Sequence, residues 1–275
     1  MSKNKKLIIL GGALLGVILI LLILAFTLFG LKKIEFNALN STDIFSSSQT
    51  QEEAIQISKF KKNSCVLFLN KKIATQNLEK NYPYIKIINI ETKFPNKIVI
   101  HYAEREEVFA IQNGVDKFFI TDDELKILRI VENAEGYTST RQNPILMCGF
   151  EVENANVKRG DFLKIKNHDE LVRNISKSLL LCNRDVVEQK SLFKQVSLKY
   201  SETQDVLSGE GDYLEIVDFN NFVANFYSPS KSTTKKFQVY FAGMTEVIPY
   251  YIATHYMEIY TKSTGEIFCK LTYKL

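Results

Sequence analysis

The chain has 275 residues, of which 45% are hydrophobic and 24% charged, so it has enough apolar residues to bury at least one sizeable core. Its 35 Lys and Arg exceed its 31 Asp and Glu, but five of the lysines precede Glu35, the first acidic residue. After those five, 30 basic residues are balanced by 31 acidic ones. This balance argues against a nucleic-acid-binding protein, whose working surface needs a basic surplus.

The N-terminal region predicts a membrane helix. Residues 7–29 carry no charge, and 17 of these 23 residues are Leu, Ile, Val or Phe. As a helix they would extend about 34 Å, enough to cross a hydrocarbon core of about 30 Å. A cleaved signal peptide is the alternative, but its apolar region is shorter and ends in small residues, which residues 27–31 do not supply. We therefore expect residues 7–29 to form an uncleaved transmembrane helix.

The flanking lysines indicate the orientation of that helix. Residues 1–6 contain three lysines and the free amino group, against Lys32 and Lys33 on the other side. The more basic flank stays in the cytoplasm. We expect residues 1–6 to be a cytoplasmic tail and the protein to be a single-pass type II protein of the cell membrane, with its C-terminal region extracytoplasmic.

Residues 31–104 predict a small α+β module. Residues 33–36 have the pattern of a short strand, and Thr50 with Glu53 forms a capping box that would start a helix. Asn70 can cap a second helix, whose apolar face would be Ile73, Ala74 and Leu78.

A hairpin follows these helices and is the clearest local signal in the chain. Residues 85–92 are rich in β-branched residues, and Ile98, Ile100 and Tyr102 alternate with Val99, His101 and Ala103. Between them, Pro95 is expected at the first central position of the turn and Asn96, with positive φ, at the second. The predicted order of the module is β-α-α-β-β.

Residues 105–275 predict a second domain, a mostly antiparallel β domain with one or two helices. The polar residues 132–143 are expected to form a loop. The best helical pattern is residues 168–182, capped by Asn167 or Asp169, and a shorter helix is expected near residues 235–241. Strands are expected at residues 108–111, 118–121, 126–130, 193–200, 213–217, 222–227, 257–260 and 266–273, and residues 144–149 form an apolar segment between chain breakers. The fold class is therefore α+β, preceded by one membrane helix.

The sequence offers little catalytic chemistry, and we expect no enzyme, no cofactor and no metal. His101, His168 and His255 belong to no metal or catalytic motif. The pattern S-x-x-K of serine acyl-enzymes starts at residues 58, 191, 228 and 232, but its partner motifs S-D-N and K-T-G are missing. The adjacent carboxylates 106/107 and 122/123 have the pattern of solvated turn charges.

Four cysteines, Cys65, Cys148, Cys182 and Cys269, lie in apolar stretches without the spacing of a zinc site. Buried thiols are favoured over bridges, although an oxidising compartment leaves disulfides open.

Four segments resemble one family. They are Tyr82-Pro83-Tyr84-Ile85, residues 94–105 (FPNKIVIHYAER), residues 119–122 and residues 143–149. After a short tail and one anchor, these motifs resemble the POTRA and β domains of the FtsQ/DivIB family of bacterial cell-division proteins. The resemblance implies a non-enzymatic scaffold at the division septum. It also implies two small membrane partners, FtsL and FtsB/DivIC, and a role in regulating septal peptidoglycan synthesis. The alternatives are a POTRA module in polypeptide transport and an S-x-x-K acyl-enzyme.

The C-terminal strand is the candidate partner-binding site. In this strand Ile267, Cys269, Leu271 and Tyr273 are expected to face the core, while Phe268, Lys270 and Thr272 face solvent. At a sheet edge this strand could accept a partner strand by β-augmentation, and the resemblance implies that the FtsB/DivIC partner docks there. Proline at Lys270 or Thr272, substituted to remove an outward N–H, is expected to abolish partner binding without unfolding the extracytoplasmic region. The alternatives are an interior position for this strand or binding at residues 257–260.

Overall fold

A computed structural model describes residues 11–12, 14–17, 20, 23, 27–39, 44–133, 144–154, 156–182, 193–202, 211–246 and 252–274. The chain divides into two compact units, Met1–Arg105 and Glu106–Leu275.

Much of the predicted membrane helix, and all of the predicted tail at residues 1–6, lies outside the described residues. Within residues 11–28, every described residue is helical, and the apolar side chains of Leu14, Leu15, Val17, Ile20 and Ile23 are exposed. Among the residues that the structure describes, no single helix has the length and hydropathy needed to cross a membrane.

The first unit contains the predicted β-α-α-β-β order. Its elements are β1 (Lys33–Ala38), α1 (Ser48–Ser58), a 3₁₀ turn (Val66–Phe68), α2 (Lys71–Asn81), β2 (Ile85–Lys93) and β3 (Lys97–Glu104). The central strand β3 pairs in parallel with β1 and antiparallel with β2. Ile98, Ile100 and Tyr102 of β3 are fully buried against Ala74 and Leu78 of α2, so the predicted alternation of the hairpin is confirmed.

The helix starts confirm one prediction and correct another. The side chain of Asn70 accepts a hydrogen bond from the backbone N–H of Ile73 at 3.1 Å, as expected of an N-cap. The cap of α1, in contrast, is Ser47, whose Oγ accepts the N–H of Thr50 at 3.1 Å. The predicted start at Thr50 was wrong because a better side-chain acceptor lies three residues earlier.

The turn between β2 and β3 also differs from the prediction. Asn96 is not among the residues with positive φ, and the peptide bond between Phe94 and Pro95 is cis. The carbonyl of Asn96 accepts the N–H groups of Lys32 at 2.8 Å and Lys33 at 3.4 Å. Asn96 therefore connects the turn to the chain that leaves the N-terminal helix.

The second unit is one mixed sheet covered by helices. Its strands are β4 (Phe109–Asn113), β5 (Lys117–Thr121), β6 (Ile127–Val131), β7 (Ile145–Cys148), β8 (Phe193–Ser201), β9 (Gly211–Asp218), β10 (Val223–Tyr227), β11 (His255–Thr261) and β12 (Ile267–Tyr273). They lie in the order β12-β11-β10-β9-β8-β7-β4-β5-β6. Most neighbours are antiparallel, but β10–β11, β7–β8 and β4–β7 are parallel. Helices α3 (Asp169–Cys182) and α4 (Thr233–Glu246) share the main core with the sheet.

Lys236 fixes the start of α4. Its side chain is fully buried, and its Nζ donates to the carbonyls of Tyr227 at 2.6 Å and Ser228 at 2.7 Å. Burial, with a smaller contribution from the nearby charge of Lys231, lowers the pKa of Lys236 to about 8. The two hydrogen bonds connect the end of β10 to the first turn of α4.

An ion pair between the buried Arg105 and the half-buried Glu79 closes the first unit. Arg105 Nη2 lies 3.2 Å from Glu79 Oε2, and Arg105 Nε donates to the carbonyl of Ile85. The other oxygen of Glu79 accepts the N–H of Ile87 at 2.8 Å. The pair thus holds α2, β2 and the end of β3 together.

Replacing Arg105 by Met is expected to lower the free energy of unfolding of the first unit by about 3 kcal/mol, because the largely desolvated Glu79 would lose the charge of Arg105. The control is Arg129→Met, since Arg129 pairs with Glu107 through two hydrogen bonds while remaining 40% exposed. That change is expected to cost less than about 1 kcal/mol. Chemical denaturation of both variants measures the difference, and equal costs would contradict the assigned role of Arg105.

Candidate partner-binding edge

All seven residues of the predicted site lie on one strand at one edge of the large sheet. Strand β12 comprises Ile267, Phe268, Cys269, Lys270, Leu271, Thr272 and Tyr273. It pairs antiparallel with β11 and has no strand on its other side among the described residues. The nearby residues 257–260, the alternative binding strand, belong to β11 between β10 and β12, so both backbone edges of β11 are occupied. This excludes β11 as a template for an added strand.

The register of the hairpin decides which N–H groups of β12 point outward. Lys274 N donates to the carbonyl of Thr254, and Lys262 N donates to the carbonyl of Glu266, each at 2.8 Å. In an antiparallel pair, hydrogen-bonded and non-hydrogen-bonded residues alternate. Phe268, Lys270 and Thr272 therefore bond inward to β11, and the outward N–H groups belong to Ile267, Cys269, Leu271 and Tyr273.

The prediction that proline at Lys270 or Thr272 removes an outward N–H was therefore wrong. Sequence alternation separates the two faces of a strand, but it does not show which residues bond to the neighbouring strand. The correct position for removing an outward N–H is Cys269, whose side chain is also exposed.

The side chains of β12 follow the predicted alternation only in part. Ile267 and Leu271 are half-buried and pack against the main core. Cys269 and Tyr273 were expected on the same core-facing side, but both are exposed, Tyr273 by 69%. At the edge of the sheet the helical layer covers less of the strand, so the core-facing positions are only partly covered.

A row of aromatic side chains crosses the other face of the sheet and ends at this edge. The Tyr213 and Tyr227 rings stack with centroids 5.4 Å apart, and Tyr227 and Tyr260 stack at 4.8 Å. The last member, Phe268, lies 6.3 Å from Tyr260 and is 37% exposed. The row thus has a partly open end at β12.

Glu258 connects β12 to its neighbours. This carboxylate is 7% exposed and accepts hydrogen bonds from Thr272 Oγ1 at 2.6 Å and Tyr227 OH at 3.3 Å. Lys270 Nζ lies 3.9 Å away. Burial, and then the charge of Glu258, raises the pKa of Tyr227, which keeps that hydroxyl a donor. The period-two alternation of the sequence could have predicted that Glu258 lies on the same face as Lys270. It could not have predicted the contact of Glu258 with Tyr227, which belongs to a segment far away in the sequence.

A surface depression of about 400 Å³ lies at the C-terminal half of β12. It is lined by Tyr256, Lys270, Leu271, Thr272 and Tyr273. Mixed apolar and hydrogen-bonding groups of this kind can hold a side chain of an added strand.

The three histidines have different neighbours. His101 Nε2 lies 3.4 Å from Glu91 Oε2, and His168 Nε2 lies 3.7 Å from Asp212 Oδ2. His255 Nδ1 lies 2.7 Å from Thr254 Oγ1. In the described part of the chain, no group of three or more His, Cys, Asp or Glu is arranged to hold a metal ion.

The structure describes three of the four serines that begin S-x-x-K motifs. The buried Ser58 hydroxyl donates to the carbonyl of Ile55 at 2.6 Å, and Ser228 and Ser232 have positive φ in the loop before α4. The motif that starts at residue 191 begins outside the described residues. Of the paired carboxylates, Asp122 accepts the N–H groups of Glu124 and Lys126.

Three of the cysteines, Cys65, Cys148 and Cys269, are free thiols. Cys65 is buried, Cys148 is half-buried and Cys269 is exposed. The side chain of Cys182 lies outside what the structure describes. Burial raises the pKa of the Cys148 thiol.

Comparison with known proteins identifies the class of the first unit. Residues 46–105 match the POTRA domain, FtsQ-type. The match ends at Arg105, the residue whose ion pair with Glu79 closes that unit. The chain therefore carries a POTRA domain of FtsQ type.

Curated relatives extend this similarity. The chain is 33% identical over 106 residues to the cell division protein DivIB of Clostridium acetobutylicum, covering 38% of this chain and 40% of that protein. It is 26% identical over 169 residues to DivIB of Clostridium tetani, covering 61% and 62%. It is 35% identical over 121 residues to DivIB of Clostridium botulinum, covering 43% of each. The matches thus span between 40% and 62% of these relatives.

Together the domain and the relatives support the resemblance: the chain carries an FtsQ-type POTRA domain and is similar, over part of its length, to DivIB cell-division proteins.

Replacing Glu258 by Val is expected to loosen β12, because Thr272 and Tyr227 lose their acceptor. The backbone amides of Lys270 and Thr272 should exchange with solvent about tenfold faster, which corresponds to about 1.4 kcal/mol of local stability. Native-state hydrogen exchange measures this change. The control is Lys199→Met, which breaks the Lys199–Glu215 pair between β8 and β9 and should leave β12 unaffected. Unchanged exchange in Glu258→Val would contradict the role of Glu258.

Proposed function

We propose that this protein is a non-enzymatic, membrane-anchored scaffold of the bacterial division machinery. Its C-terminal edge strand β12 binds a division protein of the FtsB/DivIC type by adding a strand to the sheet. A partner of the FtsL type joins the same complex, which helps to regulate septal peptidoglycan synthesis. The names of the relatives, which are cell-division proteins, support the general role.

One observation carries the proposed binding site: β12 is an edge strand with regularly spaced outward N–H groups beside an open depression. Unpaired strand edges are usually blunted unless they serve binding. The basic side chain of Lys270 blunts this edge only modestly, and it bonds inward to β11. The edge therefore remains a suitable template for a partner strand.

The opposite edge of the large sheet is less suited to strand addition. Ile127, the first residue of β6, donates to the carbonyl of Asp161 and accepts the N–H of Gly160, each at 2.9 Å. A segment of the same chain thus covers the start of that edge.

The second candidate function is a POTRA module that binds polypeptides in transport. Strand β2 would be its binding element, because β2 forms one edge of the three-stranded sheet in the order β1-β3-β2. That role predicts loss of function when β2 is blocked, whereas the division scaffold predicts loss when β12 is blocked.

The membrane anchor is also part of the proposal. The described residues between 11 and 28 are helical and expose aliphatic side chains, which favours an apolar surrounding for this segment. With the more basic tail kept in the cytoplasm, residues 31–275 would lie outside it.

The partner site is tested by Cys269→Pro. Proline at this position removes one outward N–H and leaves the inward bonds to β11 in place, so partner binding should fall at least about tenfold while the melting curve is retained. The measurement is co-purification of the full-length chain with the DivIC-type protein encoded in the same genome.

Two further variants control this experiment. Cys269→Val keeps the N–H and should bind as the unmodified chain does. Lys270→Pro removes an inward bond and should destabilise β12 itself. A folded Cys269→Pro protein that retains full binding would place the partner elsewhere.

The topology is tested separately by reporter fusions. Alkaline phosphatase, which is active only outside the cytoplasm, should be active when fused after Leu275 and inactive at the amino terminus. The reverse result would show that the orientation derived from the flanking lysines is wrong.

A further inference from the structure

The end of the POTRA unit nearest the N-terminal helix is assembled from three distant segments. Leu31 N donates to the carbonyl of Ser64 at 2.8 Å, and Val66 N donates to the carbonyl of Phe29 at 2.9 Å. On the other side, Lys32 N donates to the carbonyl of Asn96. The chain leaving the helix is thus clasped between the loop before α2 and the turn between β2 and β3.

Exposed apolar side chains lie on both sides of this clasp. The Phe94 ring is 65% exposed and contacts the Phe29 ring edge-to-face, with centroids 6.0 Å apart. On the other side, Phe68 is 77% exposed and Leu67 is 52% exposed. Leu67 and Phe68 belong to the 3₁₀ turn that follows Cys65, and the backbone of Cys65 forms an isolated antiparallel β-bridge with that of Gly30.

Positive charge surrounds these apolar side chains. Residues 30–33, 59–72 and 93–97 contain nine lysines and no acidic residue. Lys33 and Lys97 pair with Glu35, and Lys93 pairs with Glu91. The other six lysines form no ion pair with another described residue; they are Lys32, Lys59, Lys61, Lys62, Lys71 and Lys72.

We propose that this basic and aromatic end, formed by residues 30–33, 59–72 and 93–97, binds the surface of an anionic phospholipid bilayer. The inference rests on the membrane anchor of the proposed function, because the helix delivers this end to the bilayer. Aromatic side chains favour the interface between hydrocarbon and headgroups, and clustered lysines are attracted to anionic headgroups. Direct contact between Phe29 and Phe94 makes the surface continuous with the end of the apolar segment.

This surface gives the POTRA unit a second attachment to the membrane besides the helix. Two segments, the loop before α2 and the turn between β2 and β3, hold the departing chain, so the first unit is not connected to the helix by a free linker. Contact of Phe68 and Phe94 with the interface would fix which side of the unit faces the bilayer.

The absence of tryptophan from the chain permits a direct test. Single tryptophans are introduced as Phe68→Trp, Phe94→Trp, Ile88→Trp or Val17→Trp in the full-length protein. Each variant is reconstituted in vesicles of phosphatidylcholine with about 30% phosphatidylglycerol. Brominated lipids then quench any tryptophan that contacts the bilayer.

Phe68→Trp and Phe94→Trp should be quenched about threefold or more strongly than Ile88→Trp. Ile88 is a matched control because it is 51% exposed and lies on β2, about 20 Å along the strand from Phe94. Adding Lys61→Gln with Lys62→Gln to Phe68→Trp should reduce its quenching. Lys231→Gln with Lys235→Gln, an equal loss of charge in the second unit, should not.

The variants separate this inference from the proposed anchor. Val17→Trp reports the helix alone, and its failure to be quenched would overturn the anchor. Quenched Val17→Trp with unquenched Phe68→Trp and Phe94→Trp would overturn the lipid-binding surface while the anchor stands. Equal quenching of Phe68→Trp in pure phosphatidylcholine would overturn the role of anionic lipid.

Discussion

The hydrogen-bond register between β11 and β12 is the constraint on which the functional properties of the second unit depend. It directs the N–H groups of Lys270 and Thr272 towards β11 and those of Cys269 and Leu271 away from it. The same register sets Lys270 opposite Glu258. A shift by one residue would exchange both the faces and the free backbone groups, leaving the apolar side chains without cover.

Local patterns predicted the elements whose signals lie within a few residues. The hairpin of β2 and β3 follows from alternation, and the start of α2 follows from the side chain of Asn70. The start of α1 was missed because Ser47 competes with Thr50 for the same cap, which sequence spacing alone does not resolve. Asn96 was predicted to have positive φ in a turn, but it does not. Its carbonyl instead accepts a hydrogen bond from Lys32, which is distant in the sequence.

The candidate site was predictable as a strand but not as a set of contacts. An alternating C-terminal segment indicated β12, yet its free N–H groups depend on which pairs of residues share hydrogen bonds. Glu258 and Tyr227 meet because β10 and β11 are parallel neighbours, a pairing between distant segments. The basic end of the POTRA unit could not be predicted from the sequence either. The lysines near Lys32 and Lys33 come from two segments that are distant in the sequence and meet only in the fold.

The parallel pairing of β1 with β3 has a mechanical consequence. A pull from the N-terminal helix enters β1 at Lys33, whereas the chain continues to the second unit from the end of β3 at Glu104. Because the two strands are parallel, with Lys33 beside Lys97 and Ala38 beside Tyr102, tension along them acts in shear. Their hydrogen bonds are then loaded together rather than opened one after another, so this small sheet resists tension along the chain better than a hairpin pulled apart from its open end.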